Sequence, residues 1–245
     1  MKKRIIARLD IKGQHVIKGI QFEGLRKLGD PEEFAINYYN QGASEILYLD
    51  SVASLYDRSY LISLIKKTAR NVFIPITVGG GIKSLKDVYD LLRSGADKVA
   101  INTAAIKNPK LLRDICKTFG VQCLVLQLDV KNTKLGYEVF VESGREPTGI
   151  RAIDWVQEAQ SLGCGEILLT SIDRDGTRKG FDMTLLKEVA PYCRAPLIVS
   201  GGIWSREHFN TIYANQGINA IALGSTLHYK NLSLTNLYKE QINYV

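Results

Sequence analysis

The stretch GASEILYLD, from Gly42, realigns on GCGEILLTS, from Gly163, at a shift of 121 residues. GGI at 80–82 realigns on GGI at 201–203 at the same shift. GADKVAINT from Gly95 matches GINAIALGS from Gly217 at a shift of 122, and LDIK at 9–12 matches LDVK at 128–131 at 119. A repeat of this length divides the 245-residue chain into two similar halves, about 1–120 and 121–245. Each half carries four apolar, strand-like runs separated by amphipathic helical stretches. They are RIIARLD (4–10), EILYLD (45–50), FIPITV (73–78) and KVAIN (98–102), then CLVLQLD (123–129), EILLTS (166–171), PLIVS (196–200) and NAIAL (219–223). Eight βα units in one chain of this length predict a single closed (β/α)8 barrel domain built from two half-barrels. A doubly wound open sheet also alternates strand and helix, but it does not require the repeat.

With 45% hydrophobic residues the chain can bury a sizeable core. The basic N-terminus MKKRIIARLD has its apolar run broken by Arg8 and Asp10, and no apolar stretch reaches spanning length, so a soluble cytoplasmic protein is expected. Cys116, Cys123, Cys164 and Cys193 are scattered, as are His15, His208 and His228; the spacing indicates neither disulfides nor a metal site. A net charge of +7 suits nucleic acid, small anionic substrates or a solvated surface. Without a basic-aromatic stripe or a long basic run, no nucleic-acid partner and no membrane partner is expected.

A strand that ends in glycine lets backbone N–H groups approach an anion closely, because no β-carbon intervenes. Gly80 and Gly81 follow the third strand and are joined by Asn102 and Thr103 after the fourth. Gly201 and Gly202 follow the seventh and are joined by Gly224 and Ser225 after the eighth. One such pair alone is better read as a tight turn. Two at symmetry-matched positions point to two anion cradles and a substrate with a phosphate at each end. Ser84 and Ser205 are expected to cap the helices that follow.

Asp10 closes the first strand and Asp129 the fifth, on opposite sides of the barrel mouth, where this fold places catalytic residues. Two carboxylates can divide acid and base duties if their surroundings hold their pKa values apart. Pairing with Lys12 or Lys131, two residues beyond each, is the structural alternative. Lys18 lies in KGQHVIKGIQFEGLRKLGD, a long first loop suited to a lid.

These residues have a resemblance. RII..LDIK, QF..LR..GDP, TVGGGI.S, GADKV.INTAA, LDVK, EILLTSIDRDGT, SGGI and GS..H together resemble, over essentially the full chain, the HisF family, the cyclase subunits of imidazole glycerol phosphate synthase. The resemblance implies a reaction in which ammonia from a partner glutaminase (HisH-like) passes through the barrel. It then attacks a bis-phosphorylated ribulosyl aminoimidazole carboxamide nucleotide, giving imidazole glycerol phosphate and an aminoimidazole carboxamide ribotide. It places acid/base chemistry on Asp10 and Asp129. Substrate and phosphate binding fall to Lys18, Gly81, Asn102, Thr103, Asp175, Gly176, Gly202, Gly224 and Ser225. Arg4, Glu45, Lys98 and Glu166, each opening a strand, match a charged ring at the N-terminal mouth that gates ammonia and adjoins the glutaminase. No metal or redox cofactor is implied.

Several residues depart from the family pattern. Strand alternation puts Arg8 one inward layer below Asp10, and Gln127 below Asp129, where small residues are usual. A guanidinium there needs a partner. If it takes Asp10 or Asp129, it lowers that aspartate's pKa and opposes its use as a general acid. Ile203, Trp204 and Leu223 also replace small residues near the second cradle. These departures admit a HisF-like paralogue that relays ammonia for amidation of a surface-polysaccharide sugar. A non-catalytic glutaminase-binding regulator is the further alternative.

Overall fold

The computed structural model describes residues 2–51 and 59–241. Twelve strands run β1 (Arg4–Lys12), β2 (His15–Ile20), β3 (Glu23–Gly29), β4 (Glu45–Asp50), β5 (Ile76–Gly79), β6 (Lys98–Ile101), β7 (Leu124–Thr133), β8 (Gly136–Val141), β9 (Glu146–Arg151), β10 (Glu166–Ser171), β11 (Leu197–Ser200) and β12 (Ala220–Leu223). Eight of them pair in parallel in the order β10-β11-β12-β1-β4-β5-β6-β7, and β10 pairs with β7 to close the ring. Helices alternate with the strands, so the chain is a (β/α)8 barrel. β1 and β7 are separated by four strand steps in either direction, which puts Asp10 and Asp129 across the barrel from each other.

The barrel strands are apolar along their length because both faces are buried. Ile5, Ala7, Leu9 and Ile11 of β1 face the helix layer and join the large core cluster, while Ile6 joins a smaller cluster inside the barrel. Leu47, Ala100, Val125, Leu168, Ile198 and Ala220 complete an apolar layer around Ile6. Two residues further along, Leu49 and Ala222 stay apolar, while Arg8, Gln127, Thr170 and Ser200 are polar. The site sits above an apolar layer.

Both serines expected as caps fill that place. Ser84 Oγ accepts from Asp87 N ahead of Leu85–Arg93, and Ser205 forms a capping box with His208 ahead of Arg206–Tyr213. The third strand begins later than its apolar run. Pro75 has no N–H to donate, Phe73 is 76% exposed, and the ladder starts at Ile76.

The first loop is a β-hairpin rather than an irregular lid: β2 pairs with the end of β1, and β3 with β2. A second hairpin, β8–β9, extends from β7 at the matching place in the second half. The twofold repeat therefore includes both excursions over the mouth.

Candidate active site

Arg8, two residues beyond Ile6 on β1, is 3% exposed and bonded through Nε and Nη1. Nε donates to Asp10 Oδ1 at 2.8 Å, and Nη1 donates to Thr170 Oγ1 at 3.2 Å and Ser200 Oγ at 3.0 Å. Lys18, on β2, reaches inward and donates to Asp10 Oδ2 at 2.8 Å and Asp175 Oδ1 at 2.8 Å. Lys12 does not take that role. Burial opposes ionisation of Asp10, but Arg8 and Lys18 together outweigh it and hold the carboxyl well below the ordinary carboxylate range. Burial likewise opposes the charge on Lys18, and its two carboxylates prevail, raising its pKa.

Asp129 is treated in the opposite way. It is 1% exposed, and its Oδ2 accepts from Gln127 Nε2 at 2.8 Å and Asn102 Nδ2 at 2.9 Å. Burial dominates: Arg8 nearby and the two amide donors do not offset it, so the pKa is raised. Oδ1 has no hydrogen-bond partner among the described residues, which leaves it as the oxygen able to carry a proton. The Asn102 side-chain amide also donates to Phe140 O at 3.0 Å, so it holds Asp129 while the residue lines the adjoining cavity. Lys131 does not pair with Asp129; its ammonium lies 5.9 Å from the centroid of the Phe140 ring.

The first cradle borders a cavity of about 360 Å³ lined by Gly80, Gly81, Asn102, Thr103 and Asp129. Gly80 and Gly81 have φ of +104° and +62°, and a β-carbon on Gly80 would lie 2.3 Å from Asp50 O, so the turn requires glycine. Thr103 Oγ1 accepts from Glu142 N at 3.0 Å, tying the cradle to the second hairpin. The second cradle, with Gly176, Gly201, Gly202, Gly224 and Ser225, borders a gap of only about 20 Å³, room for about one water. Arg178 and Trp204 crowd it. Asp175 also lines it, but its carboxylate is tied to Lys18 and its N–H donates to Ser171 O at 3.0 Å. Arg8 lines both cavities and stands between them.

The tip of the first hairpin lies over this arrangement. Gln21 and Phe22 occupy left-handed backbone, at φ of +51° and +66°. The turn is held by Gln21 N donating to Asp175 O at 2.8 Å and Gln21 Nε2 to Asp173 O at 3.0 Å. Phe22 lies 5.6 Å from the Arg8 guanidinium.

At the opposite mouth, Arg4, Glu45, Lys98 and Glu166 form a closed ring. Arg4 pairs with Glu45 at 2.9 Å and with Glu166; Lys98 pairs with Glu45 at 2.8 Å and Glu166 at 2.7 Å. Thr77 Oγ1 donates to Glu45 at 2.6 Å. All four charges are compensated within the ring.

Residues 4–233 match the family described as histidine biosynthesis protein. The chain is 57% identical over 208 residues to the imidazole glycerol phosphate synthase subunit HisF of Legionella pneumophila, covering 84% of this chain and 98% of that protein. Against the HisF subunit of Natranaerobius thermophilus it is 46% identical over 238 residues, 97% and 94% of the two chains. Against that of Methanococcus vannielii it is 43% identical over 261 residues, 98% and 96%. The chain belongs to the HisF family. Every candidate HisF residue thus lies at the C-terminal mouth or in the floor ring. No helix among the described residues is long and apolar enough to cross a membrane.

Sequence reasoning missed three groups. Thr170 and Ser200 sit in the same inward layer as Arg8, and alternation along EILLTS and LIVS was the available signal. Arg178 sits in an irregular loop, where no periodicity marks its direction. His228 Nδ1 lies 2.7 Å from Tyr38 Oη, and burial depresses its pKa to about 3, so it is a neutral imidazole beside the second cradle.

Proposed function

We propose that this chain is the ammonia-dependent cyclase and lyase subunit of imidazole glycerol phosphate synthase. Its substrate is a bis-phosphorylated ribulosyl aminoimidazole carboxamide nucleotide, its products imidazole glycerol phosphate and aminoimidazole carboxamide ribotide. The observation that carries this reading is the contrast between Asp10 and Asp129: two buried carboxylates across one mouth, one held ionised and the other pushed toward its protonated form. Addition of ammonia to the ribulosyl carbonyl produces an oxygen that must leave as water, and this departure needs a proton. Asp129 Oδ1 is placed to supply it. Asp10, ionised between Arg8 and Lys18, is the carboxylate of the pair, and it takes up the proton released at the second step only when its contact with Arg8 opens. A cradle on each half suits a substrate with two phosphates.

The chain is further proposed to be one domain of two half-barrels, about 1–120 and 121–245, supported by the matched hairpins, glycine cradles and aspartates. A HisH-like glutaminase is proposed to dock on the N-terminal face around Arg4, Glu45, Lys98 and Glu166. Ammonia then enters only when this ring opens, and any single side chain that swings out breaks two ion pairs.

One observation favours a second reading, the ammonia relay to a separate sugar-amidating enzyme. The direct Arg8–Asp10 pair is the contact that removes Asp10 from easy proton exchange. The names of the relatives speak for the cyclase, and turnover decides. Parent protein and Arg8→Cys are assayed with the bis-phosphate substrate and an ammonium salt, each checked by thermal melting. The cyclase reading expects both products from the parent and a lower rate from the variant. An inactive parent that gains turnover in Arg8→Cys would contradict the cyclase reading and favour the relay.

A further inference from the structure

The two cradles differ in where their positive charge comes from. Three cations line the second cavity: Arg8, Lys18 and Arg178. The first two are spent. Arg8 and Lys18 face Asp10 and Asp175 in a cluster of two cations and two carboxylates, all at least nine-tenths buried. That cluster is neutral as a whole and offers no surplus charge to an incoming dianion. Among the described residues, no carboxylate pairs with Arg178.

Arg178 is instead laid on an aromatic seat. Its guanidinium carbon lies 4.1 Å from the Trp204 ring centroid and 5.9 Å from that of Tyr229. Its backbone is left-handed, at φ of +65°, a conformation that a non-glycine residue adopts only when its surroundings hold it there. The Trp204 carbonyl is fixed in turn by Thr226 Oγ1 at 2.9 Å and Asn231 Nδ2 at 2.7 Å.

The internal repeat explains the seat. Ile82-Lys83-Ser84 after the first glycine pair corresponds to Ile203-Trp204-Ser205 after the second, so Trp204 stands where the first half has a lysine. Lys83 lines the first cavity. The second half has tryptophan where the first has lysine, and a cation from the loop after β10 stacks on it.

We infer that Arg178, seated on Trp204, is the charged ligand of the second phosphate and gives that cradle its preference for a dianionic phosphate ester. Stacking on the indole covers one face of the guanidinium and leaves its in-plane N–H edge free, the edge that matches two phosphate oxygens. The backbone N–H groups of the glycine turn supply direction, and Arg178 supplies charge. Because the present gap holds about one water, phosphate enters as the guanidinium slides along the indole. Trp204 is the positioning residue, and its bulk serves the site rather than blocking it.

This inference rests on the reading of the second cradle as a phosphate site, and the test separates the two. Parent, Arg178→Gln, Trp204→Leu and the double variant are titrated with inorganic phosphate by calorimetry, and crystals of each are soaked in phosphate to assign density to each cradle. Arg178 is exposed, so its replacement leaves the fold intact, and the first cradle serves as an internal reference. The parent is expected to bind at both cradles. Arg178→Gln is expected to weaken the second by about tenfold to a hundredfold and leave the first unchanged. Trp204→Leu is expected to weaken the second several-fold, and to have no further effect once Arg178 is gone. Parental affinity at the second cradle in Arg178→Gln would overturn the role of Arg178 while leaving the phosphate site standing. Tighter binding in Trp204→Leu would show the indole to be an obstruction and overturn the seat. Phosphate at the first cradle alone in the parent would remove the second site and the inference with it.

Discussion

Asp10→Asn and Asp129→Asn are the same substitution at twofold-related strand ends, and the structure predicts different effects on stability. Asp10 accepts from Arg8 and Lys18, each at 2.8 Å. An amide at position 10 leaves Arg8 buried without a carboxylate, while Lys18 keeps Asp175. Removing one partner of a buried pair costs about 3 to 5 kcal/mol, and the surviving Lys18–Asp175 contact puts the value near the lower end. At about 2 to 4 °C per kcal/mol for a chain of this size, the melting temperature falls by about 6 to 12 °C. Asp129→Asn removes a charge that burial already opposes, and its remaining oxygen still accepts from Gln127 and Asn102. The relief is offset by one unpaired amide N–H group, about 1 to 3 kcal/mol, so the melting temperature stays within about 4 °C of the parent.

The pH dependence follows with opposite sign. The folded pKa of Asp10 is depressed, so its contribution is complete above the unfolded value near 4 and is lost as pH falls through the folded value. The gap between parent and Asp10→Asn is therefore flat from pH 8 to pH 5 and narrows only below about pH 4. The folded pKa of Asp129 is raised, so its contribution is complete below the unfolded value and is lost as pH rises through the folded one. Acidification therefore favours the parent over Asp129→Asn. Calorimetric melts of all three proteins from pH 4 to pH 8 are the assay. Equal losses in the two variants, or an Asp10→Asn melt within 2 °C of the parent, would refute the assigned electrostatics.

Two further substitutions bear on the floor and the cradle. Glu45→Gln removes the negative charge and one of the two acceptor oxygens that serve Arg4, Lys98 and Thr77 at a 1%-exposed position; with Arg4 partly solvated, the loss is about 2 to 4 kcal/mol, read from the urea midpoint. Gly202→Ala places a β-carbon 2.2 Å from Gly180 O at φ of +80° and is expected to cost more than about 2 kcal/mol and to abolish phosphate binding at the second cradle. Gly13→Ala, at φ of +53° with open space around it, costs about 1 kcal/mol and serves as the control.

The eight barrel strands were legible because burial on both faces makes each a continuous apolar run, and the repeat fixed their number and pairing of halves. The hairpins were less legible. β3 is largely exposed and its glycine-bearing sequence reads as loop; only its pairing with β2 makes it a strand. Alternation along β1 located Arg8 inside the barrel. An aspartate partner was expected from the same strand ends, and Asp10 is that partner; Thr170 and Ser200 were hidden because they come from strands some 160 to 190 residues away. The glycine pairs announced two left-handed turns, since that conformation favours glycine and so leaves a local mark. The charge state of Asp10 and Asp129 left none, because it depends on cations and amides brought together only by closure of the barrel.

Ammonium-driven turnover of the bis-phosphate nucleotide by the isolated chain, measured side by side for parent, Asp10→Asn and Asp129→Asn at a temperature where all three are folded, tests the central claim most directly. The account predicts imidazole glycerol phosphate and the ribotide from the parent in equal amounts, with the rate falling by about 10² to 10⁴-fold in each variant. Near-parental rates in both variants would contradict it.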